Sequence, residues 1–78
     1  MEDKEFLILL GQEVAKQRKK LGLTQLDLAS LVNMEKPTIT RLEKGSTNPT
    51  SITLLKISKA LNIPISKLFK FQKISITK

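Results

Sequence analysis

The chain has 78 residues, enough for one small domain with a single core and no spare surface for a second. Apolar residues make up 40% and the three aromatics are all Phe, which suits a compact helical protein built on Leu and Ile better than a β-sandwich. Cysteine and histidine are absent, which excludes a disulfide framework and a zinc site, while fourteen Lys/Arg against seven Asp/Glu leave a charge of +7 that points to a polyanion partner.

Residues 4–21 have helical spacing, with Leu7, Leu10, Val14 and Leu21 on one stripe and "KQRKK" as a basic last turn suited to the negative end of the helix dipole. Gly22 supplies a left-handed stop, and Leu23 is expected to fold back as its hydrophobic contact. "TQLD" at 24–27 opens a second helix as a capping box with Asp in place of Glu, and Leu28, Ala29 and Val32 give it an apolar stripe. Asn33, the commonest non-glycine type in left-handed geometry, ends that helix in a tight turn plugged by Met34.

A proline then precedes a third helical run. Lys36 is biased away from α geometry by the proline after it, so Pro37 is expected at the first helical position, where its missing N–H has no partner to lose. Gly45 ends this helix, and "STNP" at 46–49 is loop chemistry. Thr50 or Ser51 caps a fourth helix whose buried side is marked by Leu54, Leu55, Ile57 and Leu61, and Asn62 closes it. "IPIS" turns the chain, and Ser66 is expected to cap a short fifth helix through Phe69. The domain therefore occupies residues 1–70. The tail, 71–78, alternates as "KISITK", the pattern of a short strand that would need a symmetry mate, or else a frayed end.

Two short helices joined by a tight turn, "TQLDLASLV–NMEK–PTITRLEKG", have the layout of a helix-turn-helix, which holds its second helix where it can enter the DNA major groove. At about 100° per residue, Pro37, Thr38, Arg41 and Lys44 share the outer arc while Ile39 and Leu42 face the core. Arg41 is the foremost base reader, since its planar guanidinium can donate twice to guanine O6 and N7. Thr38 can hydrogen-bond a base edge or touch a thymine methyl, and Pro37 offers apolar contact alone. Lys36 and Lys44, at the two ends of the helix, are placed to meet phosphates.

Residues 10–69 resemble the helix-turn-helix domain of the phage-repressor and Cro (XRE) family, on the ordered combination of "QRKKLGLTQLDLA", "ITRLEKGSTNP" and "LLKISKALNIPISKLF". The resemblance implies an all-α, five-helix, lambda-repressor-like fold with a short C-terminal tail, acting as a homodimeric transcription regulator. It implies a DNA contact at Gln25, counted among the base readers, and a structural ion pair between Arg18 and Glu43. Thr24 joins Lys36, Thr40, Lys44 and Ser46 as expected phosphate contacts. The chain departs from the family in having Asn33 where Gly is usual, Glu35 where Ser or Thr often caps, and Pro37 where a polar reader is frequent. Dimers of this fold commonly form through the fourth and fifth helices and the segment beyond them. Ile63, Ile65, Phe69, Phe71, Ile74 and Ile76 make that end of the chain apolar.

The expected function is therefore sequence-specific binding of double-stranded DNA, as a cytoplasmic repressor on a palindromic operator. The alternative is an antitoxin or a protein-interaction module of the same fold. No catalytic constellation, cofactor, metal or small-molecule ligand is expected, for want of His, Cys, Tyr or Trp and of any calcium-loop spacing. A membrane role is not expected either. "FLILL" is too short to span, "MEDKEF" is too acidic for a secretory signal, and Glu2, Asp3, Glu5 and Glu13 would face anionic lipid.

Overall fold

The computed structural model describes residues 2–71, which form four α-helices and a closing 3-10 helix: α1 (Asp3–Lys20), α2 (Gln25–Leu31), α3 (Lys36–Lys44), α4 (Ser51–Ala60) and the 3-10 helix Ile65–Phe69. These five helical elements surround one core of Leu10, Val14, Leu28, Ala29, Val32, Ile39, Leu42, Leu54, Ile57, Leu61 and Leu68. No described helix is long and apolar enough to cross a membrane.

Local chemistry sets each helix end. Gly22, Asn33, Gly45 and Asn62 all take left-handed backbone, with φ of 71°, 57°, 78° and 58°. Behind Gly22, Leu23 N–H donates to the Arg18 carbonyl and Gly22 N–H to that of Lys19. Behind Asn33, Met34 N–H donates to Ala29 in the same way. Carbonyls that a helix terminus would leave bare are satisfied without a further turn. At the N-termini, the Thr24 hydroxyl accepts from Asp27 N–H at 3.0 Å and the Asp27 carboxylate accepts from Thr24 N–H at 2.8 Å, a complete capping box. Thr50 caps α4 by accepting from Thr53 N–H at 3.1 Å.

Several elements differ from expectation. α3 begins at Lys36, so Pro37 is the second helical residue, and its missing N–H is still one of those with no intrahelical partner. Glu35 occupies the N-cap without using its side chain. Leu21 and Leu55, placed on apolar stripes by their spacing, are 52% and 39% exposed. Ser66 lies inside the fifth element, which begins after Pro64 and winds as a 3-10 helix with Lys67 N–H donating to the Pro64 carbonyl at 3.0 Å. Five residues are too few to establish α-helical bonding.

Two close approaches fix α3 against α1. A Cβ on Gly11 would stand 2.5 Å from the Glu43 carbonyl oxygen and 2.7 Å from its carbon, and nearer still to the Leu42 oxygen. A Cβ on Gly45 would stand 2.6 Å from Ile8 Cα. The glycines thus let α1 and α3 meet backbone to backbone. All three phenylalanines gather together, Phe6 stacking on Phe69 at 6.0 Å between ring centroids and meeting Phe71 at 5.5 Å. Phe71, the first residue assigned to the tail, therefore packs on the first turns of α1. The rest of the expected tail, 72–78, with Ile74 and Ile76 in the alternating "KISITK" read as a strand or a frayed end, falls outside the described residues.

Candidate nucleic-acid interface

α3 presents the outer arc read from its spacing. Ile39 and Leu42 are buried at 0% and 3% exposure, which turns Pro37, Arg41 and Lys44 to solvent and leaves Thr38 half-buried at the edge. The Arg41 side chain has no hydrogen bond or ion pair among the described residues, so its guanidinium is free to donate. Lys36 and Ser46 are exposed at the two ends of the helix.

Behind this arc lies a chain of hydrogen bonds that joins α1, α2 and α3. Arg18 donates from Nε to Glu43 Oε2 at 2.7 Å and from Nη2 to Glu43 Oε1 at 3.0 Å, a bidentate pair. Its Nη1 donates to the Leu23 carbonyl at 2.7 Å, which ties the pair to the loop before α2. The Glu43 carboxylate holds the Arg18 guanidinium above its already high ordinary pKa, against the opposing effect of burial. Gln25 Nε2 donates to Glu43 Oε1 at 2.9 Å, and the Thr40 hydroxyl donates to Gln25 Oε1 at 2.7 Å. A carboxylate only accepts, so the amide nitrogen of Gln25 has to face Glu43 and its carbonyl has to face Thr40.

This network limits what each polar residue can offer a ligand. Gln25 keeps one N–H and one carbonyl lone pair, the two groups that a bidentate contact with adenine uses. Thr40 has one hydroxyl proton and two acceptors for it within the fold, Gln25 Oε1 at 2.7 Å and the Lys36 carbonyl at 3.2 Å, so it presents acceptors outward, the wrong polarity for a phosphate. Thr24 gives its backbone N–H to the Asp27 carboxylate, and its hydroxyl accepts from Asp27 N–H. The Asp27 carboxyl is held below its ordinary pKa, chiefly by the Thr24 N–H and then by the Thr24 hydroxyl, so a negative charge already sits at the start of α2.

A ridge on α1 has no counterpart among the residues expected from spacing. Gln12, Lys16 and Lys20 recur every fourth residue, with Lys19 beside them, and they line an open groove of about 790 Å³ whose other wall carries Gln25, Thr40 and Lys44. The i, i+4 period of Gln12, Lys16 and Lys20 was the available signal, obscured because "KQRKK" also serves as an ordinary basic helix end. Among the described residues no group of acidic side chains could hold a metal ion.

Known proteins resemble this chain in sequence and fold. An HTH-type transcriptional regulator of Haemophilus influenzae is 39% identical over 59 residues, 76% of this chain and 60% of that protein, so the chain spans less than two thirds of that relative. Another from Archaeoglobus fulgidus is 43% identical over 54 residues, 69% of this chain and 77% of its own length. Repressor protein C2 of Salmonella phage P22 is 34% identical over 62 residues, covering 80% of this chain and 29% of the repressor. Among solved structures, the restriction-modification controller protein C.AhdI from Aeromonas hydrophila superposes with a TM-score of 0.85 at 29% identity, over 88% of this chain and 100% of the controller. Residues 14–68 match the Helix-turn-helix family itself. Turn chemistry, recognition-helix arc and family match agree: the chain belongs to the helix-turn-helix family of the phage-repressor (XRE) type.

Proposed function

We propose that this protein is a sequence-specific DNA-binding repressor that works as a homodimer, placing α3 of each protomer in the major groove of a palindromic operator. The observation that carries the reading is the exposed Arg41, unpartnered among the described residues, at the centre of an α3 arc whose opposite side, Ile39 and Leu42, is locked into the core. Arg41 and Thr38 read bases, with Gln25 contributing from α2 and Pro37 limited to apolar contact. Lys36, Lys44, Ser46 and the Thr24 hydroxyl meet phosphates, whereas Thr40 supports Gln25 instead of touching the backbone. The similarity to a phage repressor and to a restriction-modification controller supports regulation as the purpose of binding.

For the dimer, the fold narrows the surface available. Ile63, Phe69 and Phe71 pack against the core, while Ile52, Leu55 and Ile65 on α4 and the 3-10 helix are 60%, 39% and 37% exposed. We assign the protomer contact to this second group. Selection of bound duplexes from a random pool tests reader and dimer together. The expected motif is palindromic, with half-site centres about 34 Å apart. Arg41→Ala is expected to lose about 1–3 kcal/mol of discrimination at one base pair per half-site. An unchanged motif with Arg41→Ala would remove Arg41 from the reading.

A further inference from the structure

We propose that the groove between α1 and α3 is a second phosphodiester track, in which Lys16, Lys19 and Lys20 of α1 take the DNA backbone alongside Lys44 of α3; this rests on the DNA-binding reading above. The groove is open, about 790 Å³, and four ammonium groups surround it. All four lysines are exposed, and none forms an ion pair among the described residues. The carboxylate that shares the groove, Glu43, is already neutralised by the bidentate Arg18 and further bonded by Gln25. The field in the groove is therefore that of its lysines.

A second observation favours this track. A helix N-terminus ordinarily attracts a phosphate, but the start of α2 carries the ionised Asp27 in its own cap. With Thr24 N–H also taken and the Thr40 proton held within the fold, the network offers few donors to a backbone oxygen. The α1 lysines replace that capacity from the neighbouring ridge. Lys16 and Lys20 are separated by a rise of about 6 Å along the helix. Two ammonium groups one helical turn apart, each on a flexible four-carbon stem, can each reach a different phosphate of the same strand.

The test is the salt dependence of binding to the selected duplex. The variant Lys16→Gln/Lys19→Gln/Lys20→Gln keeps good helix formers at exposed positions and is compared with Lys4→Gln/Lys67→Gln/Lys70→Gln, which removes equal charge from the first turn of α1 and the end of the 3-10 helix. The expected result is a slope of log K against log salt that is shallower by about 2–3 per protomer for the α1 variant and by less than about 1 for the control. The preference for selected over scrambled duplex stays the same. Equal slopes for the two variants would overturn the track while leaving the α3 reading intact. A wild-type chain with no duplex preference would overturn both.

Discussion

Replacing Arg18 by alanine tests the claim that α1 positions the recognition helix. The side chains of Arg18 and Glu43 are only 9% and 6% exposed, and the substitution removes both charge-assisted bonds to Glu43 together with the bond to the Leu23 carbonyl. Glu43 would be left with Gln25 as its one side-chain partner among the described residues. Breaking one side of a buried pair costs about 3–5 kcal/mol, and a domain this thin keeps water close to the site, which favours the lower figure of about 3. Total stability for a chain of this size is about 4–12 kcal/mol, so the loss is a large fraction. Urea unfolding at neutral pH measures it directly, and in a melt it corresponds to about 12–24 °C. Arg18→Met/Glu43→Met should recover much of the stability, because two apolar side chains of similar length leave no stranded charge. DNA affinity should stay low in that double variant, since Gln25 has lost the acceptor that orients it. A loss below about 1 kcal/mol for Arg18→Ala would refute the reasoning and reduce the pair to a solvent-screened surface bridge.

Two further outcomes rest on the same kind of local contact. Gly11→Ala gains about 1 kcal/mol of helix propensity, yet its methyl would meet the Leu42 and Glu43 carbonyls, backbone atoms that cannot rotate away. A net destabilisation of about 1–3 kcal/mol is expected by thermal or urea unfolding, and a more stable variant would show that the helices separate freely. Asp27, whose carboxyl is held below its ordinary 3.8 by Thr24, stabilises the fold at pH above that value. Its contribution disappears as pH falls through the depressed folded-state pKa. The stability gap between wild type and Asp27→Asn should accordingly be widest near neutrality and close in acid, as followed by melts across that range.

The parts of the fold that were legible in the sequence are those with local causes. Gly22, Asn33, Gly45 and Asn62 stop helices because of their own backbone preferences, and Thr24 with Asp27 starts one within four residues of chain. Leu21 and Leu55 misled because periodicity records which face a residue occupies but not whether anything packs there. Gly11 was silent for a related reason. In sequence it is a weak point inside a helix, and its purpose exists only in the carbonyls of Leu42 and Glu43, two helices further along the chain.

The candidate site divides along the same line. The outer arc of α3 comes from helix geometry and was readable, but the availability of each donor was not, since it depends on hydrogen bonds between α1, α2 and α3. Thr40 shows the difference. Its place beside the arc suggests a phosphate contact, yet Gln25 Oε1 stands 2.7 Å away as an acceptor for its one proton. Gln25 is correspondingly more constrained than an exposed first-turn glutamine, because Glu43 and Thr40 dictate which end of its amide faces which way. Under the proposed reading, discrimination rests on Arg41, Thr38 and this one oriented amide. Affinity must then come mainly from lysines that contact no base, so an operator with few strongly specified positions and steep salt dependence is the combination the chain's chemistry favours.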